Sequence, residues 1–345
     1  MKPRTDVEVV AVVVTLSDSS RLRAAITSVQ ENLIGVDSAV VVVVNNADFS
    51  GSRLQDGVLW VGAGINLGWA GGVHAGLLGF GSEYLWAIQD DLTMNPGTYR
   101  TLRKALLADE RLASVRPLPA DDLGRVHPGF AGASVDEEGH FTEGFPPQPV
   151  AVDAYDDSRV GTFLPSSGQL IRRAAWDAVG GFDPWFYPWG YIDIDFGRSL
   201  TRAGWEFRIV KSARMSHKVG SSTNEPVRAW LSERNRWLFA HKWRDDDPQA
   251  ESPVDLGILA AIRGARQGPR VVDLPELQKT AGIAAADCLL RLGKQLPGML
   301  DREGRDALLA ERDALRHERD AMLGSRAWRA AEVFRRVRGR VARSR

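Results

Sequence analysis

Two valine-rich runs near the N-terminus constrain the fold of this 345-residue chain more than any other feature. Val7–Leu16 and Val40–Val44 are almost continuously apolar, as expected for strands that are covered on both faces of a parallel sheet. Between them, Arg21–Leu33 repeats its apolar residues at helical spacing. A strand, a helix and a second strand in this order predict a parallel sheet, which binds ligands at the carboxyl ends of its strands.

The alternation of strands and helices continues beyond this unit. We predict strands at Val58–Val61, Tyr84–Ile88, Thr162–Ile171 and Phe207–Val210, and helices at Ala70–Phe80, Thr98–Leu107, Arg173–Val179, Asp193–Ala203 and Pro226–Trp243. Six prolines interrupt residues 111–160, which we interpret as excursion loops or a hairpin. The expected fold class is α/β: a Rossmann-like, mostly parallel sheet with flanking helices, followed by a C-terminal helical extension.

The C-terminal part of the chain has a different pattern. Residues 246–300 are interpreted as an irregular helical extension. From residue 305 to residue 322 an Arg-Asp-Ala-Leu/Met pattern recurs every seven residues. This spacing predicts a helix with an Ala/Leu seam, which either pairs with a second helix, as in a hairpin or a homodimer, or packs on its own domain.

The zero formal net charge conceals an asymmetry between the tail and the rest of the chain. Residues 326–345 hold eight arginines and one glutamate, so the remaining residues are net acidic, which argues against a nucleic-acid-binding core. Apolar residues recur in this tail at helical spacing, beside Trp328. We expect the tail to dock on an anionic membrane surface; an acidic partner protein or the acidic body itself is the alternative.

The compartment is inferred from cysteine content and hydropathy. Cys288 is the only cysteine, which excludes a disulfide framework and a cysteine-based zinc site. No apolar run reaches the length of a membrane span, and the N-terminus lacks a signal-peptide pattern. A cytoplasmic protein, peripheral on the inner face of the membrane if the tail binds there, is expected.

Polar residues and glycines follow the predicted strands. Asn45, Asn46 and Asp48 come after the second strand, where they can contact a nucleotide or simply cap a turn. The glycine-rich run 62–72 links the third strand to a helix, and it either admits an anion at the helix N-terminus or makes a tight turn. Its spacing matches neither the dinucleotide fingerprint nor the P-loop.

Carboxylates follow the fourth strand and begin a later helix. Asp90 and Asp91 are typical ligands for a hard divalent cation shared with phosphates, although a solvated acidic turn would have the same residues. Asp193 and Asp195 lie in an aromatic-rich segment and diverge by about 200° on a helix, so only one can face a given ligand. A carboxylate there could accept a proton from a sugar hydroxyl. His217, expected on a loop after a strand, is of interest only if it meets Asp91.

The order of these motifs resembles the inverting GT-A glycosyltransferases of family 2, most closely the bacterial rhamnosyl- and galactofuranosyltransferase branch. The likeness covers about residues 7–243 and rests on several motifs in order: Asn45-Asn46, the run from Asn66 to Gly72, the aspartates after the fourth strand, Gly181-Phe182-Asp183, Asp193 to Phe196 with Arg198, Ala203-Gly204-Trp205, and His217.

The resemblance implies a single displacement in which an acceptor hydroxyl attacks the anomeric carbon of a dTDP- or UDP-sugar, such as a rhamnose or galactofuranose donor, in cell-wall or polysaccharide synthesis. It implies Asp193 as the base, and Asp91 and His217 as ligands of Mn²⁺ or Mg²⁺. Residues implied to bind the nucleotide sugar are Thr15, Asn45, Asn46, Asp48, Asn66, Gly68, Gly71, Gly72 and Asp90. Residues implied to bind a glycan or lipid-linked acceptor are Trp189, Gly190 and Asp195.

The resemblance also divides the chain. Residues 1–110 would form the nucleotide-sugar half, 111–245 the acceptor-binding and catalytic half, 246–300 the helical extension, and 301–345 the heptad helix and basic tail. Three residues depart from the family pattern: Gln89 replaces the first metal-motif acid, Ile192 replaces the acid before the base, and His74 replaces an asparagine. A catalytically impaired binding or scaffold protein is therefore one alternative, and a nicotinamide-dependent oxidoreductase is another.

Overall fold

The structure, a computed structural model, describes residues 6–45, 57–62, 67–77, 79–121, 123–157, 161–183, 186, 189–217, most of 232–243, 271–273 and 302–324. The strands are β1 Asp6–Thr15, β2 Ser38–Val44, β3 Val58–Gly62, β4 Gly81–Gln89, β5 Leu92–Met94, β6 Leu112–Ala120, β7 Arg125–Val126, β8 Ala133–Val135, β9 Phe141–Gly144, β10 Val150–Ala151, β11 Leu170–Arg172, β12 Glu206–His217 and β13 Val271–Asp273. The helices are α1 Ser20–Asn32, α2 Gly68–Leu77, α3 Thr98–Ala108, α4 Arg173–Val179, α5 Ile192–Arg202 and α6 Arg302–Gly324, and the described residues from 232 to 243 are also helical.

Nine of these strands form one mixed sheet in the order β13-β3-β2-β1-β4-β11-β6-β12-β5. The strands from β13 to β4 are parallel. β11 is antiparallel to both of its neighbours, β12 runs parallel to β6, and β5 closes the edge as an antiparallel strand. The remaining pairs, β7 with β10 and β8 with β9, form separate two-stranded sheets.

β1 shows why the valine-rich runs fold as central strands. Side chains alternate across a strand, so Val10 and Val12 pack with α2, α4 and α5 while Val9 and Val13 pack with α1 and α3. Both faces of β1 are therefore covered, and a continuous apolar run suits that position. The elements predicted for the first 110 residues are confirmed to within a few residues.

The interpretation of residues 111–160 as loops or a hairpin is wrong for its first part. β6 is a nine-residue strand inside the main sheet, although it contains Pro117 and Pro119. Within the described residues, β11 pairs with β6 at Ser114 and Val115, and beyond this point that side of β6 faces no described strand. A proline on such a side costs no ladder hydrogen bond, which is why the proline signal misled the prediction.

Three other boundaries differ from the predictions. The strand expected over Thr162–Ile171 is limited to β11, because Gly168 has a φ of +82° that ends extended pairing on its N-terminal side. His217 is the last residue of the twelve-residue β12 rather than part of a loop. Within the predicted helical extension 246–300, the described segment is β13, a strand that pairs with β3.

The helix predicted for the heptad segment is confirmed, and α6 spans the whole repeat. Among the described helices, none combines the length and the apolar character that crossing a bilayer would require. The basic tail 326–345 lies outside the described residues.

Candidate functional site

Asp91 and His217 face each other at the edge of the sheet. β12 runs antiparallel to β5 with His217 opposite Leu92, so strand pairing brings the histidine beside the residue that precedes Leu92. The Nε2 atom of His217 lies 3.5 Å from Oδ2 of Asp91, and both side chains are mostly buried. The two residues that the sequence suggested as metal ligands are therefore neighbours.

The surroundings of Asp91 fit a divalent cation. The 3.5 Å separation from His217 is longer than an ordinary hydrogen bond of about 3.0 Å, so the two side chains do not satisfy each other fully. The second oxygen of Asp91, Oδ1, is buried and has no hydrogen-bond partner within the described part of the chain. A buried carboxylate oxygen without a partner is costly, and a cation would relieve that cost.

A second group that could hold a metal is separate from the Asp91–His217 pair in its residues. Ligand atoms of Asp136, Glu138 and His140 lie within 4.8 Å of one another in the turn between β8 and β9. Nδ1 of His140 is already 3.2 Å from Oδ2 of Asp136. This group is thus partly satisfied without a cation, in contrast to the buried Oδ1 of Asp91.

Hydrogen bonds connect four of the residues expected to bind the nucleotide sugar. The Thr15 hydroxyl donates to Oδ2 of Asp90 at 2.6 Å, and the Thr15 carbonyl accepts from the Asn45 backbone N–H at 2.8 Å. Nδ2 of Asn45 donates to the carbonyl of Gly68 at 2.9 Å. These contacts gather the carboxyl ends of β1, β2 and β4 with the start of α2, where a parallel sheet binds its ligands.

Two polar groups in this cluster are poised to interact with a ligand. Oδ1 of Asn45 is buried and without a hydrogen-bond partner among the described residues, so it can accept a donor such as a pyrimidine N3–H. Burial raises the pKa of Asp90, and the nearby charge of Asp91 adds to this, while the Thr15 hydroxyl and the charge of Arg21 oppose it. The adjacent aspartates therefore favour an added positive charge or a shared proton.

The glycines of α2 have a packing role. A Cβ on Gly72 would lie 2.7 Å from Cγ1 of Val14 and 3.2 Å from Nδ2 of Asn45, and one on Gly76 would lie 2.4 Å from Cγ1 of Val12. A Cβ on Gly71 would approach Cβ of Leu67 at 3.0 Å. The glycines thus allow α2 to approach β1 closely and hold Asn45 in place. A direct contact with a nucleotide sugar would not by itself require this close packing.

Asp193 lies in the first turn of α5, where the helix N-terminus stabilises negative charge. Its Oδ1 accepts a hydrogen bond from the backbone N–H of Ile194 at 3.2 Å. Burial raises the pKa of Asp193 to about 6, against the effects of backbone hydrogen bonds and of the charge on Arg116. Such a carboxyl is ionised at neutral pH and more basic than an ordinary aspartate, as a proton acceptor should be.

The turn before Asp193 is held in an uncommon conformation. Tyr191 has a φ of +63°, and its hydroxyl donates to the carbonyl of Gly139 at 2.7 Å. The buried amide of Asn235 donates to the carbonyls of Trp189 at 2.8 Å and Gly190 at 2.9 Å. The predicted acceptor residues Trp189 and Gly190 thus lie in a braced turn beside the predicted base.

Asp195 requires a correction. It was expected to contact the acceptor, but it is 1% exposed and forms an ion pair with Nζ of Lys242 at 2.8 Å. It also accepts a hydrogen bond from Nε1 of Trp243 at 2.9 Å, and Lys242 lies 2.8 Å from Asp183 as well. Its carboxylate is enclosed by these partners, so Asp195 anchors α5 to the helical residues 232–243 and does not reach a ligand.

Arg116 is a charged residue near the site that the sequence did not single out. It is 1% exposed on β6, and its Nε donates to the carbonyl of Ser167 at 2.7 Å. Burial lowers its pKa to about 9, while the negative charge of Asp193 opposes this shift. Its Nη1 donates to the carbonyl of Phe130, whose ring lies 5.7 Å from that of His217. Arg116 therefore connects the surroundings of Asp193 with those of His217.

Asn46, Asp48 and Asn66 lie outside the described residues. His74 is buried, with Nε2 2.8 Å from the carbonyl of Phe182, so it links α2 to the segment after α4. Ile192 is 2% exposed in the core, a position that suits an apolar residue better than an acid.

No protein-family model matches the sequence. Two curated relatives are N-acetylglucosaminyl-diphospho-decaprenol L-rhamnosyltransferases of Mycobacterium tuberculosis, from strains CDC 1551 / Oshkosh and ATCC 25618 / H37Rv. Each is 28% identical over 165 residues, which are 45% of this chain and 53% of the relative. The chain thus spans about half the length of the curated relatives it matches.

A solved structure supports the same assignment of fold. The crystal structure of GalNAc-T7 with UDP, GalNAc and Mn²⁺ has a TM-score of 0.55 at 14% identity, covering 75% of this chain and 54% of that one. The chain therefore has a GT-A fold and is similar in sequence to glycosyltransferases over 165 residues. The α/β fold class predicted from the sequence and the family resemblance are both confirmed.

Proposed function

We propose that this GT-A protein transfers a sugar, rhamnose, galactofuranose or a similar one, from a dTDP- or UDP-sugar to a hydroxyl of a glycan or lipid-linked acceptor, with inversion. The observation that carries this proposal is the meeting of Asp91 and His217 at the end of the parallel strands, with one Asp91 oxygen buried and unpaired in the described structure. The names of the M. tuberculosis relatives support an L-rhamnose donor and a diphospholipid-linked acceptor.

Asp193 acts as the base in this proposal. With a pKa of about 6 it is ionised at neutral pH and takes the proton of the acceptor hydroxyl as that oxygen attacks the anomeric carbon. Arg116 stabilises the ionised carboxylate by its charge, and the braced turn of Trp189 and Gly190 fixes where α5 starts. Attack from the side opposite the leaving diphosphate inverts the anomeric configuration.

The donor lies in this proposal over the ends of β1, β2 and β4. Asn45 accepts a hydrogen bond from the base through its unpaired Oδ1, and Thr15 and Asp90 form the adjacent wall. Asp91 and His217 would hold Mn²⁺ or Mg²⁺, and the bound cation would neutralise the departing diphosphate.

Membrane association belongs to the same proposal. The acceptor of the relatives is named as a decaprenol-linked molecule, and residues 326–345 of this chain carry eight arginines. Each basic residue close to an anionic leaflet contributes about 1 kcal/mol of attraction. Deletion of 326–345 is expected to weaken binding to anionic liposomes and to leave transfer to a water-soluble acceptor unchanged; unchanged liposome binding would contradict a membrane role for the tail.

The proposal is tested by incubating the full chain with dTDP-rhamnose or a series of UDP-sugars, with N-acetylglucosaminyl-diphospho-decaprenol as acceptor, in Mn²⁺ or in EDTA. We expect metal-dependent release of the nucleoside diphosphate together with a product of inverted anomeric configuration by NMR. Retained configuration, or equal transfer in EDTA, would contradict the proposed mechanism. Binding of NAD(H) without nucleotide-sugar turnover would favour the oxidoreductase alternative.

A further inference from the structure

An exposed aromatic residue lies on the β8–β9 hairpin next to the proposed base. Phe141 is 62% exposed, whereas the two aromatic rings it touches, Phe163 and Tyr191, are 4% and 5% exposed. Its ring centroid lies 6.1 Å from that of Phe163 and 6.3 Å from that of Tyr191, both in edge-to-face geometry. Tyr191 directly precedes α5, so Phe141 is one side chain removed from the turn that carries Asp193.

The hairpin is fixed to this turn rather than projecting freely. The Tyr191 hydroxyl donates to the carbonyl of Gly139, and the backbone N–H of Val135 donates to the hydroxyl of Thr162 at 3.1 Å. A Cβ on Gly139 would lie 2.9 Å from Cδ1 of Phe239, so the hairpin turn packs tightly on the helical residues 232–243. The hairpin that carries Phe141 is therefore held against Tyr191, two residues before Asp193.

We infer that Phe141 is a stacking surface for a saccharide ring of the acceptor, an inference that rests on the proposed function. The face of an aromatic ring suits the apolar face of a sugar, and Phe141 is exposed to such a ligand while Phe163 and Tyr191 are buried. This role would make Phe141 an acceptor-binding residue on an element that no family motif includes.

The charge around Phe141 favours a neutral saccharide over a lipid surface. The hairpin turn carries Asp136, Glu137 and Glu138, and Glu143 follows on β9. An anionic leaflet would be repelled by these carboxylates, whereas sugar hydroxyls can donate hydrogen bonds to them. The hairpin thus combines an apolar ring with acceptor oxygens, a combination that matches the chemistry of a pyranose.

Binding of a saccharide can be measured without turnover. Saturation-transfer NMR is recorded with methyl N-acetyl-β-glucosaminide as the probe, on the wild-type full chain, on Phe141→Ala and on Phe141→Trp. Leu123→Ala, which removes a 74% exposed side chain from a different loop, is the matched control. Because Phe141 is exposed, its variants are expected to fold, and unchanged melting temperatures verify this.

We expect saccharide signals with wild type, Phe141→Trp and Leu123→Ala, and a loss of those signals with Phe141→Ala. In the transfer assay, Phe141→Ala should raise the KM for N-acetylglucosaminyl-diphospho-decaprenol by about five- to tenfold, with the KM for the donor unchanged. Absence of saccharide signals with wild type, or equal signals with Phe141→Ala, would overturn the inference.

The transfer assay separates failure of this inference from failure of the proposed function. Wild-type transfer that Phe141→Ala leaves unchanged overturns the role of Phe141 alone, while absence of transfer to every acceptor overturns the proposed function. A defect of Phe141→Ala confined to the decaprenol-linked acceptor, and absent with a short-chain water-soluble analogue, would show contact with the lipid and would also overturn the inference.

Discussion

The Asp91–His217 pair and the start of α5 carry the main chemical groups of the proposed site, and they are built in opposite ways. The pair is placed by strand pairing alone, with His217 opposite Leu92, and it leaves a buried oxygen of Asp91 without a partner in the described chain. The α5 start is held by side chains from a distant helical segment: Asp195 is enclosed by Lys242 and Trp243, and Asn235 binds three carbonyls.

Substitutions in the two parts should therefore affect different quantities: ligand binding for the Asp91–His217 pair, and stability for the start of α5. An unpaired buried acceptor costs folding free energy until a ligand satisfies it, so substitution of Asp91 should impair ligand binding without destabilising the fold. A buried ion pair is different, because loss of one partner leaves the other charge buried and unpaired. Substitutions among the residues that brace α5 should therefore lower stability first and activity as a consequence.

The largest expected effect comes from Asp193→Asn. This change removes the proton acceptor and keeps the shape of the side chain, so the transfer rate should fall by about 10²- to 10⁴-fold while nucleotide affinity is retained. Steady-state kinetics and calorimetric titration of the nucleoside diphosphate measure the two quantities. Asp177→Asn, an exposed aspartate paired with Arg173 on α4, is the control and should leave both unchanged. Parallel loss of nucleotide binding in Asp193→Asn would show that Asp193 is structural.

Lys242→Met should have the largest effect on stability. It leaves Asp183 and Asp195 buried near each other without their cation, at an expected cost of about 3–5 kcal/mol in the free energy of unfolding. Lys211→Met, which removes an exposed lysine bonded to the Asp153 carbonyl, should cost less than about 0.5 kcal/mol in the same urea titration. Equal stability of the two variants would contradict the anchoring role of Asp195.

Asn235→Ala tests whether the hydrogen bonds that brace the turn before α5 affect transfer specifically. It leaves the carbonyls of Phe186, Trp189 and Gly190 without their amide donor, at a cost of about 1–3 kcal/mol. Asn32→Ala removes another buried amide, bonded to the Ser28 and Asn95 carbonyls, and should cost a similar amount. Transfer per folded molecule should fall in Asn235→Ala alone; an equal fall in both variants would mean that the brace has no specific effect on the site.

The pH dependence follows from the raised pKa of Asp193. The transfer rate should be level above pH 6 and fall about tenfold per pH unit below it, because protonation removes the base.

The raised pKa of Asp193 also affects stability. Since the folded pKa of about 6 exceeds the ordinary 3.8, the folded state binds this proton more tightly, and stability from it is present at low pH and lost as pH rises through 6. Asp193→Asn should therefore melt above wild type at pH 8 and near it at pH 4. A wild-type melting temperature lower by the same amount at both values would contradict the shift.

The sequence could predict the features that leave a local pattern, and it could not predict those that depend on contacts between distant residues. The valine runs predicted β1 and β2 because burial on both faces leaves a direct pattern, and the order of short motifs predicted Asp91, His217 and Asp193 as one site. Arg116 had no such pattern, since a lone arginine directly before Pro117 gives no sign that its strand is central. The enclosure of Asp195 depends on Lys242, 47 residues away, and the position of Phe141 depends on hairpin packing, neither of which is a local property of the sequence.

The most direct test of the account is Mn²⁺ binding in the presence of UDP or dTDP, measured by electron paramagnetic resonance on wild type, Asp91→Ala and His140→Ala. The last variant disrupts the group of Asp136, Glu138 and His140, which also has a geometry suited to a metal. We expect Asp91→Ala to lose the nucleotide-dependent Mn²⁺ signal and His140→Ala to keep it. Retention of the signal in Asp91→Ala with its loss in His140→Ala would contradict the assignment of the Asp91–His217 pair as the metal site.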